Sequence, residues 1–198
     1  MTDLGPIELN RRTGAEKFSD GTDTLDFDLL SFWQWSSSDI VSNVTRGILA
    51  EYIVAQALCV AENQIREEWA AFDLQTASGI KVEVKSAAYI QSWHQDQYTR
   101  ISFRVPKTLE WIKETSRQST HATRQADVYV FALLAEFNQE KLNPLDVSQW
   151  EFYILSTSVL NKRKRSQHSI TLPSLKKLTQ SLKFNELRTA IEKASRDN

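Results

Sequence analysis

Long apolar runs, cysteine pairs and phosphate-cradling glycine loops are all missing from this sequence. No run approaches the ~20 apolar residues needed to span a bilayer, and Met1–Asn10 lacks the basic and apolar segments of a secretory signal. The single cysteine, Cys59, has no partner for an internal disulfide, so we expect a cytoplasmic protein with no membrane association. His94, His121 and His168 lack the spacing of zinc ligands.

Charge is unevenly distributed, although the formal net charge is only -1. Residues 161–198 hold ten Lys and Arg against three Asp and Glu, a balance of +7, which leaves -8 for residues 1–160. Four consecutive cations in the basic section could follow a nucleic-acid backbone, because each phosphate contact adds salt-dependent affinity. These cations are Lys162, Arg163, Lys164 and Arg165. A solvated surface is the alternative explanation for them.

Hydrophobic periodicity predicts an α/β (α+β) fold with a central mixed sheet of about five strands flanked by helices. Residues 1–40 are predicted to be an N-terminal arm packed on the core, with residues 1–30 irregular or loosely packed. Residues 41–198 are predicted to form one domain. A helix is predicted over residues 43–60, capped by Ser42 or Asn43. Its apolar face consists of Val44, Ile48, Ala55 and Leu58, and Glu51 lies on that face.

The remaining predicted elements alternate between strands and helices. Strands are expected near residues 69–75, 80–87, 100–105, 127–135 and 150–157. Of these, residues 127–135 form a continuous apolar run, which is typical of a central strand covered on both faces. A helix is expected to open at Pro106 and Thr108 and run through Trp111, and later helices to start near Ser174 and Asn185.

The segment "FDLQTASGIKVEVK" (residues 72–85) carries charged residues inside a predicted hairpin. A three-residue loop ending at Gly79 predicts the register, since the last loop position is usually left-handed, whereas a two-residue loop would shift the pairing by one. The predicted pairs are Thr76 with Ile80, Leu74 with Val82, and Phe72 with Val84. On the opposite face Asp73 then lies across from Glu83, and Lys85 follows Glu83 because strand side chains alternate.

Opposed carboxylates at Asp73 and Glu83 would have Cβ atoms about 4.5–5.5 Å apart and would repel each other. A divalent cation such as Mg²⁺ compensates such a pair naturally. The alternative is a solvated amphipathic strand, on which Glu-x-Lys is common. Glu51 can likewise be explained without a metal, because it could reach water at the edge of its helix face or pair with an Arg.

These residues, in this order, resemble the PD-(D/E)XK nuclease superfamily, which has a restriction-endonuclease-like fold. The resemblance covers about residues 43–157 as a helix, a three-strand meander, a helix and a further strand. Asp73 matches the family aspartate, Glu83–Lys85 the Glu-x-Lys motif, and Glu51 the glutamate that many members carry on the first core helix. Gln91 fits the glutamine of several branches, and Phe72 replaces the proline of the name at a position that varies.

The resemblance implies metal-assisted hydrolysis of phosphodiester bonds. The metal would be Mg²⁺, with Mn²⁺ as a substitute, and its ligands would be Asp73, Glu83, Glu51 and the Val84 carbonyl. Lys85 would orient or activate the attacking water and stabilise the charge on the phosphorane. Gln91 would orient the water or a phosphate.

Three more residues are candidates for contact with nucleic acid: Arg46, Ser86 and Trp93. Ser86 opens a run of small residues that would leave room for a ligand. Arg46 is equally explained as a surface residue or the partner of an acid, and Trp93 as part of the core or of a groove wall.

We therefore expect a Mg²⁺-dependent nuclease, and double-stranded DNA is the favoured substrate. The sequence does not decide between DNA and RNA. A homodimer would bring two sites to the two strands of a duplex. Two alternatives stay open: a structure-selective repair or recombination nuclease of the same fold, and a non-catalytic nucleic-acid-binding module that retains the fold.

Overall fold

The computed structural model describes residues 5, 7–62, 64–68, 70–109, 111–112 and 117–197. The chain divides into two compact units, Met1–Ile40 and Val41–Asn198. None of the helices in the described residues has the length and apolar content that crossing a bilayer requires.

The first unit contains an antiparallel hairpin followed by a helix. Its elements are β1 (Lys17–Ser19), β2 (Thr24–Asp28) and α1 (Leu29–Ser37). The Asp20 carboxylate accepts hydrogen bonds from the Thr22 and Asp23 amides and so shapes the turn. Asp28 caps α1 by accepting from the Ser31 amide at 2.9 Å. Residues 1–30 are expected to be irregular or loosely packed. They are not irregular throughout, because these local side-chain bonds order a hairpin, but the hairpin is mostly exposed.

The second unit holds the remaining helices and strands. In chain order these are α2 (Asn43–Leu58), β3 (Leu74–Gln75), β4 (Lys81–Ala88), β5 (Ser102–Arg104), β6 (Trp111–Ile112), β7 (Arg117–Gln118), β8 (Val128–Leu134), β9 (Trp150–Ser156), α3 (Thr157–Lys162), β10 (Ser169–Thr171), α4 (Leu172–Leu175) and α5 (Leu187–Arg196). The central sheet has four strands in the order β3-β4-β8-β9. Strands β4 and β8 run parallel and the other pairs antiparallel, which confirms the predicted mixed sheet.

Each face of this sheet packs on its own apolar core, so helices flank the sheet as predicted. The first core lies beneath α2 and α5 and includes Val54 and Ile191. The second core lies beneath β5, β10 and α4 and includes Phe103 and Leu175. All seven residues of β8 are buried, as its continuous apolar sequence predicts for a central strand.

Two predictions about the middle of the chain are wrong. The strand at residues 102–104 pairs with β10 in a separate two-stranded sheet, so the central sheet has four strands rather than five. The helix expected after Pro106 is absent from the described residues there, where Thr108 forms an isolated bridge with Thr123 and Trp111 begins β6. Both errors come from partners far along the chain, which local patterns do not reveal.

Helix α2 begins as predicted, because the Ser42 hydroxyl accepts from the Thr45 amide. Its buried face agrees only in part with the predicted one. Ala55 and Leu58 are buried as predicted, but Val44 and Ile48 are exposed, and Arg46 and Ala50 are buried instead. The apolar pattern missed this face because a guanidinium occupies one of its inward positions. The buried face is the one that meets β4, and it directs polar residues of α2 toward that strand.

The β3–β4 loop provides a test of the register on which the site depends. Gly79 has φ +87° and open space around its Cβ position, so Gly79→Ala meets only backbone strain. We expect a loss of about 1 kcal/mol in the free energy of unfolding, measured by denaturant titration. Gly47→Ala is the matched control, because Gly47 is helical with equally open space and should be neutral or stabilising. Equal effects of the two variants would contradict this account of the loop.

Candidate active site

The candidate site begins at the β3–β4 hairpin, whose predicted register is confirmed near the turn. Leu74 pairs with Val82, and the Thr76 amide donates to the Ile80 carbonyl at 3.0 Å. Within the described residues β3 pairs with only the first two residues of β4. The edge of β4 beyond Val82 is therefore left without a neighbouring strand on that side.

Asp73 occupies this open edge with its carboxylate. The Val84 amide donates to Asp73 Oδ2 at 2.6 Å, so the predicted backbone pairing of Phe72 with Val84 is wrong. A carboxylate is a stronger acceptor than a carbonyl, which explains why it replaces the strand at this point. Phe72 packs against the second core instead of the first. Because the amide and carbonyl of one strand residue point to the same side, the Val84 carbonyl also faces this edge.

Glu83 and Lys85 lie on one face of β4 and form an ion pair. Their side chains are 18% and 31% exposed. Burial raises the pKa of Glu83, and the nearby charge of Asp73 raises it further, while Lys85 opposes both effects. A cleft of about 60 Å³ borders the pair and is also lined by Pro106 and Tyr129. The arrangement holds a cation and a carboxylate side by side at a solvent-accessible opening.

Glu51 reaches the same region from α2. Arg66 donates to both of its oxygens, from Nε at 2.6 Å and from the terminal guanidinium nitrogen at 3.3 Å. Pairing with an Arg was one of the two alternatives for Glu51. Burial raises the pKa of this carboxyl, the Arg66 hydrogen bond lowers it, and the charge of Asp73 raises it. Sequence reasoning missed Arg66, which lies in a segment without periodicity and meets Glu51 only through the fold.

We call Glu51, Asp73 and Glu83 the carboxylate cluster. Burial is the largest cause of the raised pKa in all three, so the fold disfavours the charged form of each carboxyl. Each one has a different donor: Arg66, the Val84 amide and Lys85. Within the described part of the chain, no three His, Cys, Asp or Glu side chains are already arranged as a metal site. The chemistry of the donors still fits a hard divalent cation, because that cation binds carboxylate and carbonyl oxygens and would relieve their repulsion.

Gln91 lies outside the carboxylate cluster. It is buried, its Oε1 accepts from Arg46 at 3.2 Å, and its Nε2 donates to the Ala88 carbonyl and the Thr99 hydroxyl. The partners of its side chain are therefore protein groups near the end of β4. In this geometry Gln91 holds the Arg46 guanidinium in place, and its contact with water or a phosphate stays a prediction.

Arg46 is buried, which contradicts both predicted explanations for it. It is neither at the surface nor paired with a described acid, since its guanidinium donates to the neutral oxygens of Ser86, Val41, Gln91 and Asn43. Ser86 therefore belongs to the same network. Trp93 is 53% exposed and lines a cleft together with Arg46, so it is a wall residue rather than a core residue.

The predicted basic run divides into exposed and partly buried residues. Lys162, Lys164 and Arg165 are exposed, and Lys162 ends helix α3. Arg163 is half-buried and donates to the Ser169 carbonyl at 3.2 Å. Arg124 holds the same loop through Asn161 and Gln167. Three of the four cations are thus available to a partner, and the fourth supports the loop.

Comparison with known families identifies a relationship that covers most of the chain. A family model described as bacteriophage T4 endonuclease IV matches residues 7–173, which include every residue of the carboxylate cluster together with Lys85. A comparison with curated proteins finds no match.

Proposed function

This chain belongs to the bacteriophage T4 endonuclease IV family, and on that premise we propose that it is a metal-dependent endonuclease that hydrolyses phosphodiester bonds in DNA. The observation that carries the proposal is the carboxylate cluster beside Lys85 at the open edge of β4. Three half-buried carboxylates with raised pKa values are unfavourable in a purely structural role. Such groups concentrate where a protein binds a cation or transfers protons.

In this proposal Asp73, Glu83, Glu51 and the Val84 carbonyl would hold Mg²⁺, and Mn²⁺ would substitute for it. When bound, the cation polarises the scissile phosphate and lowers the pKa of a water ligand. Lys85 holds its ammonium group against Glu83, where it can orient the attacking water and stabilise negative charge on the phosphate. Arg66 restrains Glu51 and adds a second positive charge at the site.

The PD-(D/E)XK assignment is part of the same proposal. The family match names an endonuclease without naming that superfamily. Support for the assignment comes from the helix, the hairpin and the later strand β8, which occur in the predicted order, and from the charge interaction between Asp73 and Glu83. Duplex DNA as the substrate and a homodimeric enzyme stay predictions from the sequence.

The function is tested by incubating the protein with supercoiled plasmid, linear duplex, single-stranded DNA and RNA, each with Mg²⁺, Mn²⁺ or EDTA. We expect nicking or linearisation of plasmid only with a divalent cation. Cleavage of the plasmid would be endonucleolytic, since a circular substrate has no ends. Binding to DNA without cleavage in either metal would favour the non-catalytic module. Cleavage confined to branched or damaged DNA would favour a repair nuclease.

The raised pKa values also predict how stability depends on pH. In the folded chain the carboxyls of Asp73 and Glu83 keep their protons above the ordinary values of 3.8 and 4.5. The folded state then binds more protons than the unfolded state, so the free energy of unfolding falls as pH rises through the raised values. In EDTA we expect this decline to begin as pH rises above the ordinary carboxyl values of 3.8 and 4.5, and denaturant titration at a series of pH values measures it. The double variant Asp73→Asn, Glu83→Gln should flatten the curve; an unchanged slope would show that these carboxyls titrate normally.

A further inference from the structure

A second cleft, of about 190 Å³, lies at the end of β4 near the carboxylate cluster. Its described lining contains two arginines and no acidic residue, although the whole chain has a net charge of -1. The polar and aromatic residues that matter for its chemistry are Asn43, Arg46, Ser86, Gln91, Trp93 and Arg100. The cleft is therefore a local concentration of positive charge.

Arg46 supplies the buried part of that charge. Its side chain is 3% exposed, and burial lowers its pKa to about 10, so it stays cationic at neutral pH. Its four hydrogen-bond acceptors are all neutral, and no described carboxylate forms an ion pair with it. A buried charge is normally balanced by an opposite charge. In this cleft that balance would have to come from a ligand.

Other groups at the cleft suit the same ligand. Arg100 is exposed at the rim, and the exposed Trp93 ring forms a wall. Asn43 is the first residue of the 16-residue helix α2, so the positive end of the helix dipole adds to the potential. Gln91, Asn43 and Ser86 fix the guanidinium in one orientation, as a preformed anion site requires.

The cleft and the carboxylate cluster are neighbours along two elements. Arg46 precedes Glu51 by five residues of α2, about 7.5 Å along the helix axis. Ser86 directly follows Lys85 on β4. One or two nucleotides of an extended strand would cover this separation.

We propose that this cleft binds a backbone phosphate of the nucleic acid that is not itself cut, and so sets the position of the strand over the carboxylate cluster. The proposal rests on the proposed function, because it assumes a nucleic-acid strand at that cluster. Arg46 would provide the buried charge and Arg100 the outer contact. A bound phosphate would supply the negative charge that the cleft lining does not provide for the buried guanidinium.

The test is binding of an oligonucleotide that carries a single neutral methylphosphonate linkage, moved one linkage at a time, with Ca²⁺ replacing Mg²⁺. We expect the wild type to lose about tenfold in affinity at one linkage next to the cleavage position, the size of one good charged contact. Arg100→Gln should weaken the unmodified strand to a similar degree and reduce the further loss at that linkage to about twofold or less. Arg46→Lys keeps the charge but loses the planar arrangement of guanidinium donors. It should also weaken binding and reduce the methylphosphonate effect, but by less than Arg100→Gln.

Arg104→Gln is the matched control, because Arg104 is an exposed arginine on β5 outside the cleft. It should keep the full methylphosphonate effect, and thermal unfolding should show that Arg100→Gln is folded. The proposal fails if no non-scissile linkage matters, or if Arg100→Gln behaves like Arg104→Gln. Binding is scored independently of cleavage, so a protein that shows this pattern without cutting would overturn the proposed function and leave the phosphate site standing.

Discussion

Asp73→Asn should abolish DNA cleavage and at the same time stabilise the folded chain. Asparagine retains an oxygen that can accept from the Val84 amide, so the local geometry survives. The substitution removes one of the mutually repelling carboxylates, whose pKa burial raises. We expect the cleavage rate to fall by about 10²–10³-fold or more, as for loss of one charge-stabilising group. The free energy of unfolding should rise by up to about 1 kcal/mol, or about 2–4 °C in Tm.

The opposite movement of activity and stability is what distinguishes this prediction from a folding defect. Asp96→Asn is the control, because its side chain is 97% exposed and it pairs only with His94 among the described ion pairs. That variant should change neither quantity. If the Asp73→Asn variant cut DNA at the wild-type rate, Asp73 would have no part in the cleavage reaction. Loss of cutting together with a large loss of stability would instead indicate a structural carboxylate.

Lys85→Met should lower the cleavage rate by about 10²–10³-fold, the size expected for a positioned group that stabilises transition-state charge. Methionine keeps most of the apolar stem, so packing changes little. Because the Lys85 charge lowers the pKa of both Asp73 and Glu83, its loss should raise both pKa values. Any residual activity should therefore begin to fall at a higher pH on the acid side than in the wild type.

Lys81→Met is the matched control for this experiment. Lys81 lies four residues earlier on the same face of β4, where its ammonium group sits 5.3 Å from the centre of the Phe72 ring. It should cleave DNA almost as fast as the wild type. Equal losses in Lys81→Met and Lys85→Met would mean that general positive charge, rather than the position of Lys85, supports activity. Lys85→Arg tests charge separately from position. The arginine keeps the positive charge, but its planar guanidinium does not place that charge as the lysine ammonium group does, so activity should stay low.

The sequence predicts the elements whose signals are local. The register of Leu74 with Val82 follows from the period of two and from the left-handed Gly79. The start of α2 follows from its cap at Ser42, and the central position of β8 from its unbroken apolar run. These features depend on residues close together in the chain, where propensity and spacing carry most of the information.

The errors occur where distant residues compete with a local pattern. The Asp73 carboxylate accepts the hydrogen bond of the Val84 amide, so the β3 ladder ends at Leu74, two residues before the predicted end at Phe72. Phe72 therefore packs in the other core. Arg46 occupies an inward position of α2 because Gln91, 45 residues later, supplies an acceptor. Arg66 becomes part of the site for a similar reason, through Glu51. Hydrophobic periodicity does not reveal such polar contacts between distant residues, so these residues could be located only from the fold.

The central claim is that the carboxylate cluster binds a divalent cation. Titration calorimetry with Mg²⁺ and Mn²⁺, performed in two buffers of different ionisation enthalpy, measures both the affinity and the protons released on binding. We predict binding by the wild type with proton release that increases as pH is lowered, because the raised pKa values leave protons to be displaced. Binding should be lost in Asp73→Asn and in Glu83→Gln and kept in Asp96→Asn. Unchanged affinity in both site variants, or no metal binding by the wild type with or without DNA, would contradict the account.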